Sequence, residues 1–233
     1  MRDPAVAAVR GWKMMTVAAP TAGVYEEVTL SRSAAVRAYI GLGANLGDAA
    51  ATLTLAVRAL GALPGVRLRG VSRLYVTAPV GVTDQPAFHN AVAVLDVPRG
   101  ATPAAGALAL VVALKGLERA LGRVPGVRWG PRALDLDLLV FGRQRIHVPR
   151  AKAARSADPA RTGVQWLDVP HASAPERAFV LAPLADLAPG LVPPGWHVTV
   201  AHALAERAAI EGPGAARPVA RWDPAARAWV ADA

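Results

Sequence analysis

Hydrophobic and polar positions follow no sustained order through the first 36 residues, where Pro4, Pro20, Gly11 and Gly23 interrupt scattered charges, so this stretch reads as a flexible tail. Met14 and Met15 leave room for a later translation start. From residue 37 the pattern becomes regular. Residues 37–42 make a short strand that runs into a glycine-rich turn at 41–47, and Asp48 stands where a helix N-cap belongs. Leu53, Val57 and Leu60 then recur at i, i+4, i+7, which predicts a helix with one buried stripe. Over 66–76 the apolar residues Val66, Leu68, Leu74 and Val76 alternate with Arg67, Arg69 and Arg73, the period of a strand with one wet face. A turn-rich loop at 78–86 leads to another strand at 88–97. Thr102 and Pro103 open a second helix with the stripe Leu110, Leu114, Leu117, Leu121, which Gly122 ends.

The loop 122–132 holds Gly122, Pro125, Gly126, Gly130 and Pro131, and 133–141 reads as a strand turned by Gly142. Residues 149–165 lack any period and predict an exposed insertion. A strand is expected near 179–181, a short helix at 184–187, a last helix capped by Thr199 through Ala208, and a Gly-, Pro- and Ala-rich C-terminal tail at 210–233. The order β, α, β, β, α, β with additions implies an α+β fold, a ferredoxin-like sandwich with a mostly antiparallel sheet and helices packed on it, in one domain at 37–209.

Composition narrows the function classes. A chain of 233 residues that is 53% hydrophobic has ample material for one core. With no cysteine, disulfides, thiolate nucleophiles and cysteine-bound zinc are excluded. The apolar run at 104–114 falls short of the roughly 18 to 20 residues that span a bilayer. The N-terminus has no compact apolar segment with a small-residue cleavage site, so a cytoplasmic protein without membrane partners is expected. The net charge of +9 points to an anionic partner, but the arginines are spread out and only Lys13, Lys115 and Lys152 are lysines. Nucleotide phosphates satisfy that charge as well as nucleic acid does.

The candidate chemistry lies at Asp135-Leu136-Asp137. Alternation in a strand sends both aspartates to one face, about 6.6 Å apart along the backbone, and Leu134, Leu136 and Leu138 to the core. That spacing lets the carboxylates converge on two cations, and hard oxygen ligands without nearby His or Cys favour magnesium. Two solvated aspartates on an exposed face would give the same pattern. Arg123, Arg128 and Arg132 bracket the pair in a loop stiffened by Gly and Pro, and guanidinium forks suit phosphate oxygens. Trp129 is either core filling or a stacking surface for a planar ring.

Residues 128–137, Arg-Trp-Gly-Pro-Arg-Ala-Leu-Asp-Leu-Asp, followed by Leu-Leu-Val-Phe-Gly, resemble the signature of the 6-hydroxymethyl-7,8-dihydropterin pyrophosphokinases. Residues 39–48 (Tyr-Ile-Gly-Leu-Gly-Ala-Asn-Leu-Gly-Asp) resemble that family's opening strand and turn. Residues 72–90 resemble its pterin loop and strand, and 169–184 its nucleotide-side segment. The resemblance runs from about 37 to 205. It implies transfer of the β,γ-diphosphoryl group of ATP to the hydroxymethyl group of the dihydropterin, releasing AMP, with two magnesium ions on Asp135 and Asp137. Arg123 and Arg132 would brace the phosphates, Arg123 on a loop that closes over the site. Trp129 and Phe179 would sandwich the pterin, with Phe88, Asn90 and the segment Thr77, Ala78, Val80 at its edge. Lys115, Glu118, Arg132, Leu138, His171 and Arg177 would serve ATP.

The chain departs from that pattern in places. Phe88 stands where a Tyr is common, and Lys115 where some members carry a Gln. Trp166 and Asp168 replace an Arg and a Thr that touch ATP in relatives, and Arg150 or Arg161 is expected to supply the missing cation. A basic RNA-binding module on the same topology would need exposed aromatics on its central strands, which three Phe and three Tyr do not supply. A degenerate relative that binds nucleotide without transfer would not need the intact aspartate pair. The expectation is therefore a monomer acting on ATP and the dihydropterin, without nucleic acid.

Overall fold

A computed structural model describes residues 35–79, 81–124, 130–155, 163–212 and 214–231. The expectations for the N-terminal tail and for Val80, Arg128, Trp129 and Arg161 lie outside them. The chain runs β1 (Ala35–Ala44), α1 (Ala49–Gly61), β2 (Arg67–Val71), β3 (Leu74–Thr77), β4 (Phe88–Pro98), α2 (Pro103–Ala120), β5 (Asp135–Phe141), β6 (Ile146–Pro149), β7 (Trp166–Val169), α3 (Ala178–Leu187), α4 (Val200–Glu211), β8 (Arg217–Asp223) and β9 (Ala228–Ala231).

Strands β5, β1, β4 and β3 lie side by side in that order, all antiparallel, and β2 pairs with the far half of β4. With β2 and β3 counted as one interrupted strand, this is the ferredoxin-like order expected from the pattern. The interruption has a local cause. Between the two strands the Ser72 N–H donates to Val92 O at 2.9 Å, while the Ser72 hydroxyl, not its carbonyl, accepts from Val92 N at 2.9 Å. The freed Ser72 carbonyl accepts from the Trp229 indole at 2.9 Å.

Both helix starts form as read: the Asp48 carboxylate accepts from Ala51 N at 2.9 Å and the Thr102 hydroxyl from Ala105 N at 3.1 Å. Helices α1 and α2 cover one sheet face, where Leu53, Leu60, Leu114 and Leu117 pack with Ile40, Leu95, Leu134 and Leu136. Helices α3 and α4 cover part of the other through Val180, Leu181, Leu184 and Val200, packed with Val92, Leu139 and Val140. A bulge in β5 sets which residue faces which layer. Ile40 pairs with Leu138 but Tyr39 with Val140, so Leu139 is the extra residue, and beyond it Phe141 swings back to the α2 side.

Helix α2 approaches the chain before it so closely that a Cβ on Gly106 would lie 2.0 Å from Arg99 O. Gly106→Ala is therefore expected to destabilise by about 3 kcal/mol, the overlap outweighing alanine's gain of about 1 kcal/mol in helix propensity. A Tm equal to that of the unchanged protein would refute this packing.

Two expectations need correction, and one pair of strands was not foreseen. Residues 179–181 are not a strand but part of α3; a short apolar run carries no period, and burial here is nearly continuous from Ala178 to Leu184, so the sequence pattern could not distinguish the two. Much of the expected tail at 210–233 is structured. Strand β8 pairs with β3 and β9 with β8, anchored by the edge-on pair Trp222 and Trp229. The expected insertion at 149–165 joins β6 to β7, an unforeseen hairpin in which Pro149 pairs with Trp166. No helix among the described residues is long and apolar enough to cross a membrane.

Candidate active site

Register lays out the site. On β1, Gly43 pairs with Asn90 on one side and Asp135 on the other, and Gly41 pairs with Val92 and Asp137. Directly paired residues share a face, so a row runs Asn90, Gly43, Asp135 across three strands, about 10 Å from end to end. Gly43 leaves its middle bare, whereas the Leu139 side chain packs over Gly41. A Cβ on Gly43 would meet Asn90 Oδ1 at 3.3 Å, which places that oxygen over the strip.

The Asn90 amide donates to the Thr77 hydroxyl at 2.8 Å, and both side chains are buried. Phe88 shares the Asn90 face of β4 and pairs with Thr77. Ala78 follows at the exposed end of β3. Three of the pterin-side residues named from the sequence thus meet at one end of the row. Phe179 is half-buried in the layer that holds Val92 and Leu139, with the Arg177 guanidinium 5.6 Å from its ring centre.

At the other end the two aspartates do share a face, as read from the sequence. Arg132 Nη1 donates to Asp135 Oδ2 at 2.6 Å, and Arg123 Nη1 bonds Asp135 Oδ1 and lies 3.0 Å from Glu118 Oε1. Strand β5 is the sheet's edge, and α2 closes it. Leu136 N–H donates to Glu118 Oε1 at 2.7 Å, and Lys115 Nζ donates to Leu136 O at 2.9 Å and to Glu118 Oε1 at 2.6 Å. Lys115, expected on the nucleotide side, stands inside the carboxylate cluster, 3.7 Å from Asp135 Oδ1 and 3.6 Å from Asp137 Oδ1.

These neighbours set the charges. Burial works to raise Asp135, but Lys115, Arg123 and Arg132 together hold it far below the usual carboxylate range. Burial works to lower Lys115, and Asp137, Asp135 and Glu118 outweigh it, keeping the ammonium charged. Glu118 is pushed up to about 7 by burial, with Asp135 adding to it against the pull of Lys115 and Arg123.

On the remaining side His171 N–H takes Leu139 O at 2.9 Å, the carbonyl of the bulge residue. Burial lowers the His171 pKa, and the field of Asp137 works the other way. Its buried Nδ1 has no partner among the described residues. Arg150 contributes to that lowering and donates through Nε to Trp166 O at 2.9 Å. Trp166 and Asp168 turn outward, one stacked on His147 with centroids 4.3 Å apart and the other 2.6 Å from His147 Nδ1. Leu138, expected beside adenine, points into the α1/α2 core and is not on the aspartate face; alternation with Asp137 requires it.

Asn45 received no role from the sequence. It is buried, and it ties three segments together: Nδ2 donates to Gln85 Oε1 at 2.9 Å and Pro86 O at 3.0 Å, and Oδ1 accepts from Arg132 N at 2.8 Å. Its position in the 41–47 turn was the available signal, since a polar residue between glycines often bonds backbone.

Residues 39–189 match the family described as 7,8-dihydro-6-hydroxymethylpterin-pyrophosphokinase. The chain is 44% identical over 163 residues to the 2-amino-4-hydroxy-6-hydroxymethyldihydropteridine pyrophosphokinase of Pseudomonas aeruginosa, covering 70% of this chain and 87% of that one. It is 41% identical over 178 residues to the protein of the same name from Methylorubrum extorquens, covering 75% and 97%. Among solved structures, wild-type Plasmodium falciparum HPPK-DHPS with SDX-DHP aligns with a TM-score of 0.58 at 14% identity over 84% of this chain. The chain spans about half of that solved chain, 49%, and the likeness is one of fold. The signature run at 128–137 and the strand row behind it therefore have a common explanation: this chain belongs to the 7,8-dihydro-6-hydroxymethylpterin-pyrophosphokinase family.

Proposed function

We propose that the chain transfers the β,γ-diphosphoryl group of ATP to the hydroxymethyl oxygen of 6-hydroxymethyl-7,8-dihydropterin. A bond forms from that oxygen to the β-phosphorus, the bond from the β-phosphorus to the oxygen bridging it to the α-phosphate breaks, AMP leaves, and the hydroxyl proton is released. The observation that carries the reading is the row in which a buried Asn90 faces Asp135 across the bare Gly43, with arginines at the carboxylate end. One end suits a flat heterocycle with a hydrogen-bonding edge, the other a polyphosphate.

Asn90 is held by Thr77 through its amide, so its Oδ1 is left as an acceptor for N–H groups on the pterin edge. Phe88 and Phe179 supply apolar contact beside it, and Trp129, from the family resemblance, the second stacking face. Arg123 and Arg132 offer forks to phosphate oxygens and offset charge that develops during transfer. Asn45, by fixing Arg132 N and the 85–86 segment together, positions both ends of the site. His171 and Arg177, with Arg150, supply polar groups to the nucleotide.

The donor set fits magnesium. Asp135 and Asp137, on one strand face and flanked by arginines suited to phosphate, would hold the metal. Magnesium commonly takes one or two carboxylates and fills its remaining positions with water and substrate phosphates. Bound there, two magnesium ions would neutralise the polyphosphate oxygens and polarise the phosphorus under attack.

With ATP, the dihydropterin alcohol and magnesium, the expected nucleotide product is AMP, resolved from ADP by ion-exchange chromatography. Formation of ADP alone, or AMP formed at the same rate without the pterin, would reject the assignment.

A further inference from the structure

The carboxylates of this site come with their own cations. Glu118, Asp135 and Asp137 face Lys115, Arg123 and Arg132, and with Glu118 ionised, as at pH 8, three negative charges stand against three positive. Lys115 holds the central place. Its side chain is 13% exposed, and Nζ lies nearly equidistant from one oxygen of each aspartate, 3.7 and 3.6 Å, where a cation shared by both would sit. The ammonium has three donors. Two are spent on Glu118 Oε1 and Leu136 O, and only the third is left for the aspartates. With two donors held by Glu118 and Leu136 and both aspartates flanking the ammonium at 3.6 to 3.7 Å, Lys115 acts through its neighbours as a positioning residue.

We propose that Lys115 is a resident counter-cation, which holds Asp135 and Asp137 together before any divalent cation arrives and keeps the nucleotide-free site electrically neutral. A neutral cluster attracts a divalent cation weakly, because the attraction of the carboxylates is offset by fixed charges a few ångströms away. A polyphosphate changes that balance. It brings surplus negative charge and competes for Arg123 and Arg132, which in the free protein are engaged with Asp135. As they transfer to phosphate oxygens, Asp135 is released to a cation. Divalent cation and nucleotide are therefore taken up together, and a cation without nucleotide is held off. The identity of the polyphosphate as ATP rests on the proposed function; the counter-cation role does not.

The test uses Mn2+ as the probe and no nucleotide. Binding of Mn2+ to the full chain at pH 8, followed by electron paramagnetic resonance, is expected to be at least tenfold tighter in Lys115→Gln than in the unchanged protein. Lys115→Arg, which keeps the charge, is expected to bind Mn2+ as weakly as the unchanged protein. The Tm of Lys115→Gln is expected to fall without divalent cation and to recover when Mg2+ is added, which a merely structural clamp would not show. Unchanged or weaker Mn2+ binding by Lys115→Gln overturns the proposal, as does Mn2+ binding by Lys115→Arg as tight as that of Lys115→Gln. Because no turnover is measured, failure of the AMP assay and failure of this proposal are separate results.

Discussion

Asp137→Asn is expected to lower the rate of AMP release by about three orders of magnitude, equivalent to roughly 4 kcal/mol of lost transition-state stabilisation. The substitution keeps shape and removes charge. Asp137 is on the sheet face opposite the α1/α2 core and faces Lys115 at 3.6 Å, so the fold has little reason to fail. Asp135→Asn should be as damaging to activity, but it also takes a charged partner from Arg123 and Arg132, and a loss of stability will accompany it. The pair thus separates chemistry from architecture. Single-turnover measurement of AMP in both variants, beside their Tm values, checks it. Activity within tenfold of the unchanged protein in Asp137→Asn would remove the carboxylate pair from the mechanism.

The second large effect is at Glu118. Its Oε1 accepts from Leu136 N and from Lys115, and Arg123 is 3.0 Å away, so one buried oxygen satisfies an edge-strand amide and two cations. Glu118→Ala strands all three and is expected to cost about 3 to 5 kcal/mol. Glu118→Gln keeps an acceptor for Leu136 N and should recover part of that loss.

The pH dependence has a definite sign. A carboxyl raised from 4.5 to about 7 in the folded state binds its proton more tightly there than in the unfolded chain. Its favourable contribution is fully present below pH 4.5 and is lost as pH rises through about 7. The stability of the unchanged protein relative to Glu118→Gln should therefore grow as pH falls from 7 to 4.5, by an amount on the order of 1 to 3 kcal/mol. Asp135 acts in the opposite direction but only at lower pH, because its folded-state value is depressed and its contribution persists until pH falls below the ordinary carboxylate range. Urea unfolding of both proteins between pH 4.5 and 8 resolves the two. A difference that shrinks toward low pH would contradict the assignment.

Much of this was legible in the chain because it is local. Alternation up to Leu138, ahead of the bulge at Leu139, put Asp135 and Asp137 on one face and Leu134 and Leu136 in the core. Asp48, Thr102 and Thr199 announced their helices through short side chains that reach amides two or three residues on, and all three do so. The αβ order, and with it the ferredoxin-like sheet, followed from the same periodicities. The family signature added the chemistry.

What the sequence could not supply is whatever depends on contacts far along the chain. Residues 178–187 carry an apolar run that suits helix or strand equally, and only packing on Val92 and Leu139 selects the helix. Strands β8 and β9 hold little hydrophobic pattern of their own and exist because β3 offers an open edge and Ser72 an acceptor for Trp229. Asn45 bonds residues 40, 41 and 87 positions away, so no window around it shows its role. Lys115 is the sharpest case. Helical spacing pairs it with Glu118, but that it stands between two aspartates twenty residues later was decided when α2 docked along the edge of β5, where Leu136 needed both a donor and an acceptor.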